Sequence, residues 1–170
     1  MIKRKRGGRF MELENLAQKL PEEIKKVWRQ TYFITIGIFL AVSIGLSILF
    51  YAIDISFWWS LIGYGVTVLY FVLTLFVIVP FRWARWSYQI RHDEIEIQHG
   101  IIFRSRVLIP MIRVQHVETE QGPLLRRQKL VRVSISTAAT VHHIEAVRAQ
   151  ESDTLRHHIL ELVKVAKEDV

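Results

Sequence analysis

Cysteine is absent from this sequence of 170 residues, so disulfide bridges, thiolate nucleophiles and thiolate metal sites are excluded. Charge is almost absent from a long central region, because Asp54 is the only formally charged residue between Arg29 and Arg82. The apolar fraction of the whole chain is 51%, which is high for a soluble domain. The uncharged central region and the high apolar fraction together indicate a membrane protein.

Asp54 divides the central region into two apolar segments, residues 32–52 and 57–81. At about 1.5 Å per residue, a helix formed by either segment would cross a hydrocarbon core of roughly 30 Å. The first segment is too long and begins too late for a cleavable signal peptide. We therefore expect a basic N-terminal segment with an amphipathic juxtamembrane helix, two transmembrane helices and a further domain, at residues 1–30, 31–82 and 83–170.

The segment before the first span predicts two helical stretches. Pro21 followed by two glutamates is typical of a helix start, with acids near the positive end of the helix dipole. Upstream, residues 10–20 carry apolar side chains at helical spacing, and we expect them to lie on the membrane surface: Leu13, Leu16, Ala17 and Leu20.

Basic residues predict the orientation of the two spans. Lys25, Lys26 and Arg29 precede the first span, Arg82 and Arg85 follow the second, and the connecting loop has no basic residue. Because cytoplasmic flanks are enriched in Lys and Arg, both termini are expected in the cytoplasm. All five tryptophans fall at the expected membrane boundaries, where they would act as interface anchors: Trp28, Trp58, Trp59, Trp83 and Trp86.

Three small residues, Gly37, Ala41 and Gly45, share one face of the first span. Such a face allows another helix to approach closely in lipid. Its partner is either the second span, through Ser60 and Gly63, or a helix of another subunit.

After Arg85 the apolar residues alternate with polar ones, which predicts short antiparallel strands. One strand is expected to carry Ile101, Phe103 and Ile109 on the same face. Val114 and Val117 are three apart, so a β-bulge is expected near Gln115 or His116. The last segment returns to helical spacing and predicts an amphipathic helix with this apolar stripe: Leu155, Ile159, Leu162, Val163 and Ala166.

The stretch IPMIRVQHVETEQGPLLRRQKLVRVSISTA, placed after two spans and before a final helix, resembles the bacterial pleckstrin-homology (PH) membrane protein family of the YdbS type. The resemblance covers residues 20–166. It implies an antiparallel β sandwich, or partly open barrel, of seven strands capped by a C-terminal α-helix, although only six strands can be counted from the residues. It also implies a bacterial cytoplasmic membrane and a larger partner of the same family that carries several such domains.

Two basic clusters are candidate sites for anionic lipid headgroups. The first consists of Lys3, Arg4, Lys5, Arg6 and Arg9, which could instead be a topology signal or simply a disordered start. The second contains Arg126, Arg127 and Arg132, which could instead cover a corner of the sandwich. Eukaryotic PH domains that bind inositol phosphates use a basic first hairpin, whereas the corresponding turn at residues 92–94 is acidic here.

Catalytic and metal-binding patterns are not evident in the sequence. Neither adjacent histidine pair, His142–His143 or His157–His158, can chelate one ion alone, and no serine has an evident base. We expect a non-catalytic docking protein without a cofactor, a small-molecule substrate or a nucleic-acid partner. The alternatives are an anionic-lipid-sensing module and an accessory subunit of a transport or envelope-protection complex, although the spans lack the ionisable groups that mark a transport path.

Overall fold

The computed structural model describes residues 15–56 and 58–168, and its first large feature is a helical hairpin. Helix α1 (Ile24–Ala52) precedes helix α2 (Trp58–Val72), which continues through a π-helical stretch (Leu73–Ile78) into helix α3 (Val79–Ala84). Two helical spans, Ile24–Ala52 and Trp58–Ala84, are long and apolar enough to cross a membrane, as the sequence predicts. Phe57, the expected first residue of the second span, lies outside the described residues.

The hairpin is closed by a short loop in which Asp54 has a left-handed φ of 55°. Aspartate tolerates this conformation better than most residues, so its place in the loop is explained by the turn.

The two spans pack through small side chains that carry hydroxyl groups. Ser43 and Thr67 are buried between the helices, and their hydroxyls donate to carbonyls four residues earlier at 2.9 and 2.8 Å. Because these bonds lie within one helix, the polar groups are satisfied without a partner from the other span. A Cβ at Gly63 would lie 3.0 Å from the Ser43 hydroxyl, so the helices approach closely here.

The small-residue face of α1 points away from the second span. Gly37, Ala41 and Gly45 are exposed, and a Cβ at either glycine would meet no atom within 4 Å. The interpretation that this face packs on the second span is therefore wrong. The close approach of the two spans occurs instead at Ser43 and Gly63.

The remaining residues form seven strands in two antiparallel sheets. The first sheet contains, in spatial order, β1 (Gln18–Lys19), β2 (Ser87–Ile90), β3 (Glu94–His99) and β4 (Ser105–Pro110). The second contains β5 (Val114–Glu120), β6 (Leu130–Thr137) and β7 (Val141–Arg148). A short helix α4 (Pro123–Arg127) joins β5 to β6, and helix α5 (Ala149–Glu168) follows β7.

The core lies between the sheets and under α5. Ile95, Ile109 and Ile144 are fully or almost fully buried, and α5 contributes Ile159 and Val163 to the same cluster. The predicted apolar stripe of the last helix is thus confirmed. Two spans, two antiparallel sheets and a capping helix also confirm the expected PH-like fold class.

The seventh strand comes from the amino-terminal side of the spans. β1 pairs with β2 in the register Gln18↔Tyr88, and the neighbouring Leu16 and Leu20 are buried in the core. The expectation of a surface helix over residues 10–20 is therefore wrong for residues 15–20, and residues 10–14 lie outside the described part. The sandwich core buries the apolar side chains of both leucines, and the edge of β2 supplies hydrogen-bond partners for the backbone between them.

Two details of the strands test the predicted pattern. The register of β5 against β6 shifts between Val114 and His116, so the predicted bulge is confirmed. However, β4 begins only at Ser105, and Ile101 and Phe103 lie in the preceding turn rather than on its inner face. Gly100 has a φ of 122°, a conformation that ends β3 and reverses the chain before the alternation resumes.

The sandwich has two distinct ends. At the proximal end, next to the spans, lie the β3–β4 turn, α4 and the start of α5; α4 contacts α1 there. At the distal end lie the β2–β3 turn, the 3₁₀ turn Met111–Arg113 and the β6–β7 turn. The acidic turn at residues 92–94 therefore lies at the end far from the spans.

Candidate functional site

The sandwich is fixed to the spans by an ion pair and a stacked ring. Arg82, near the end of α3, donates to both carboxylate oxygens of Glu145 on β7 at 2.7 and 2.8 Å. The same guanidinium lies over the Trp28 ring, 4.4 Å from its centroid. Both hydrogen bonds start from one guanidinium nitrogen, and the stacked ring restricts the angle of the guanidinium. The second sheet therefore has a defined orientation relative to both spans.

A second set of contacts joins the start of α1 to the end of α3. The indole N–H of Trp83 donates to the carbonyl of Leu20 at 3.0 Å, and the ammonium of Lys25 lies 3.5 Å from the Trp83 ring centroid. Ile24 and Val27, on the first turns of α1, are buried in the same core as the strands. The spans and the sandwich thus share one hydrophobic core at the proximal end.

A groove opens at the distal end, where the end of β4, the 3₁₀ turn, the β6–β7 turn and the end of α5 meet. Its volume is about 580 Å³. Leu108 and Ile112 line it, and their side chains are 52% and 45% exposed. Arg113, His142 and Lys167 also line it and supply basic groups. This composition suits an apolar segment with acidic flanks.

Two strand edges lie beside this groove. β4 and β5 are the outer strands of their sheets on this side, and each is paired along one edge only within the described chain. Residues of both strands contribute to the groove. An extended segment of a partner could therefore add to a sheet while its side chains enter the groove.

The candidate lipid-binding residues of the described chain lie on two elements, α4 and β6. Arg126 and Arg127 are exposed on α4 at the proximal end. Arg132 lies farther along, on β6, and is half-buried. Lys3, Arg4, Lys5, Arg6 and Arg9 lie outside the described residues.

The five tryptophans occupy different environments. Trp58 and Trp59 are 77% and 62% exposed at the start of α2, so they remain predicted interface anchors. Trp28 and Trp86 are buried in the protein core, and Trp83 is half-buried beneath Lys25. At the proximal end the indoles therefore join spans to sandwich, and sequence position alone does not distinguish this role from anchoring in lipid.

A smaller cavity of about 360 Å³ lies between Tyr88 on β2 and the first turns of α5. Burial, and then the nearby carboxylate of Glu151, raise the pKa of the Tyr88 hydroxyl above its ordinary value. The phenol is therefore neutral at physiological pH. Within residues 15–56 and 58–168, no three His, Asp or Glu side chains are grouped so that they could hold a metal ion.

Two apolar helices that carry a helix-capped sandwich define this molecule as a membrane protein with a PH-like domain. A family model described as bacterial PH domain matches residues 31–163. The chain therefore belongs to the bacterial PH domain family.

Two relatives from Bacillus subtilis (strain 168) agree with this assignment. The chain is 42% identical over 145 residues to the UPF0699 transmembrane protein YdbS, covering 85% of this chain and 91% of that protein. It is 33% identical over 66 residues to the UPF0699 transmembrane protein YdbT, covering 39% of this chain and 13% of that one. No solved structure matches.

Proposed function

We propose that this chain is a non-catalytic docking protein of the bacterial cytoplasmic membrane. The two spans hold the PH-like domain at the inner face, and the distal groove receives a larger membrane protein of the same family. The observation that carries the proposal is the position of the groove, which opens at the end of the sandwich farthest from the spans.

The charge distribution supports a cytoplasmic domain. Lys25, Lys26 and Arg29 lie at the start of α1, and Arg82 and Arg85 lie at the end of α3. All of them are at the end of the hairpin that carries the sandwich. The loop at the other end, residues 53–56, has no basic residue, and this asymmetry favours retention of the sandwich in the cytoplasm.

The shared core supports docking rather than free movement of the domain. Because Arg82 joins the spans to β7 and stacks on Trp28, the groove keeps a fixed distance and direction from the two spans. A partner confined to the same membrane meets this surface at a high effective concentration, so a modest groove is sufficient for assembly.

The choice of partner rests on the longer relative. YdbT matches over 66 residues that amount to 13% of its length, so a segment similar to part of this chain occurs in a much longer transmembrane protein. An apolar segment with acidic flanks on such a protein would complement Leu108, Ile112 and the nearby Arg113 and Lys167.

The docking proposal predicts a specific loss of assembly. A variant with Leu108→Ser and Ile112→Ser should lose most of the larger family member that co-purifies with the full chain in mild detergent. Because both side chains are about half exposed, the fold should be retained. Native mass spectrometry of the purified complex measures the loss.

Val165→Ser provides a matched control, since Val165 is 39% exposed on α5 and does not line the groove. It should leave the complex intact. Recovery of the wild-type chain alone, or equal partner recovery from the groove variant and the control, would contradict docking at this groove.

Recognition of anionic lipid is a second candidate function, favoured by the exposure of Arg126 and Arg127 at the proximal end. Arg126→Gln with Arg127→Gln should then reduce the phosphatidylglycerol retained by the full chain after detergent extraction. Arg91→Gln with Lys164→Gln removes the same charge from exposed positions away from α4 and outside the groove, and it should change lipid retention little. Equal retention by the two variants would exclude α4 as the lipid contact.

A further inference from the structure

The β3–β4 turn, residues 100–104, presents two large apolar side chains to the outside of the molecule. Ile102 is 83% exposed and Phe103 is 88% exposed. They are the most exposed large apolar side chains in the described part of the sandwich; Leu108 and Val141 follow at 52% each. Burial of such side chains is strongly favourable, so their exposure requires an explanation.

The turn lies level with the end of the second span. The guanidinium of Arg85, directly after α3, donates to the carbonyl of Ile101. The strand register agrees, because Ser87 pairs with Gln98 and β3 ends one residue later, at His99. The chain beyond His99 therefore continues past the start of β2, toward the last turn of α3.

A second set of bonds ties the same turn to the spans. Arg104 donates to the side-chain oxygen of Asn15 at 3.4 Å, and the Asn15 amide donates to the carbonyl of Ala84 at 3.3 Å. Gly100 permits the tight reversal, since a Cβ at this position would lie 1.9 Å from the Phe103 carbonyl oxygen. The turn is thus held in place, and its apolar tip is not a consequence of a loose loop.

The neighbouring surface of the span identifies what covers this tip. Phe81 is 46% exposed and lies on the helical span that is long and apolar enough to cross a membrane. Arg85 lies over the Phe81 ring, 5.4 Å from its centroid. The apolar surface of the span therefore reaches the level of the turn, and Arg85 and Arg104 lie where lipid phosphates are expected.

We propose that Ile102 and Phe103 insert into the interfacial region of the bilayer beside the second span, as a third membrane contact of this protein. The lipid headgroup and acyl-chain boundary is the ligand, and no single lipid species is required. Together with the two spans, the inserted side chains of Ile102 and Phe103 would fix the tilt of the sandwich as well as its distance from the membrane. The inference does not depend on the docking function.

The absence of cysteine makes a direct test possible, because one introduced cysteine is unique. Phe103→Cys is labelled with an environment-sensitive fluorophore in the full chain, reconstituted in nanodiscs of phosphatidylcholine and phosphatidylglycerol. Lipids with a doxyl quencher near the acyl-chain boundary should quench most of the emission, and dissolved iodide should quench little. Nanodiscs leave both faces open, so the orientation of the chain does not affect access.

Val141→Cys is the matched control, at an exposed apolar position of the distal end. Its label should respond to iodide and not to the doxyl lipid. A label at Ile102→Cys should repeat the result at position 103, which guards against a local effect of one substitution. Iodide access at 102 and 103 equal to that at 141 would overturn the proposal, and so would shielding from iodide without lipid quenching, which would indicate a protein contact.

Discussion

Leu20→Ala is expected to lower the free energy of unfolding by about 2–5 kcal/mol, the usual range for removing a large aliphatic side chain from a core. Leu20 is 2% exposed, and it lies between the end of β1 and the first turn of α1. Its carbonyl accepts the Trp83 indole bond, so a cavity here also disturbs the joint between sandwich and spans. Chemical unfolding of the full chain in detergent, followed by near-ultraviolet circular dichroism, measures the loss.

The matched control is Leu108→Ala, which removes the same atoms from a side chain that is 52% exposed. Its cost should be within about 0.5 kcal/mol of zero if Leu108 serves only the groove. A small and similar effect of both substitutions would contradict a core role for Leu20. It would favour the surface helix that the sequence alone suggests.

The β1 segment also shows where sequence patterns are insufficient. Leu16 and Leu20 fit a helical stripe as well as they fit two buried positions around a short strand. What decides between them is the edge of β2, which is some seventy residues away in sequence and pairs with Gln18 through Tyr88. A fragment that begins at residue 83 lacks this strand and part of the core, so functional tests require the full chain.

Other parts of the fold could be predicted because one local signal was sufficient. A run of apolar residues without charge predicts a span, and the stripe through Ile159 and Val163 predicts a capping helix. The bulge after Val114 follows from the spacing of two valines on a strand of period two. Each of these inferences depends only on residues close together in sequence.

The alternation of apolar and polar residues on β3 does not predict the burial of its polar side chains. Glu96 and Gln98 alternate with isoleucines and would be assigned to a solvated face, yet they are 5% and 0% exposed. Arg106 on β4 donates to the side-chain oxygen of Gln98 at 2.8 Å and lies 3.7 Å from the Glu96 carboxylate. The long guanidinium side chain shields both groups, an effect that alternation does not report.

The candidate sites could be predicted only in part for a related reason. The basic residues of α4 are evident in the sequence. The groove is formed by the end of β4, the 3₁₀ turn, the β6–β7 turn and the end of α5, which meet only in the folded chain. Apolar and polar residues alternate from Ile101 to Ile109, which predicts a single strand and not a turn at residues 100–104. Gly100 is the one residue here that could have indicated the turn, because glycine favours a chain reversal. Glycine also occurs in strands, so it does not decide between the two structures.

Gly100→Ala is expected to destabilise the protein by about 1–3 kcal/mol, because an L residue is strained at a φ of 122°. The added Cβ would also meet the Phe103 carbonyl oxygen at 1.9 Å, so the turn must change shape. Amide hydrogen exchange should rise at the paired ends of β3 and β4, from Gln98 to Arg106, and the thermal midpoint should fall.

Gly122→Ala is the control that separates backbone strain from the loss of a glycine. Gly122 has an ordinary φ of −74°, and a Cβ there would meet nothing within 4 Å, so its replacement should change stability little. If Gly100→Ala were equally neutral, the reversal at residue 100 would not be required. The turn could then flatten into the strand, and its apolar pair would lose its fixed position beside the second span.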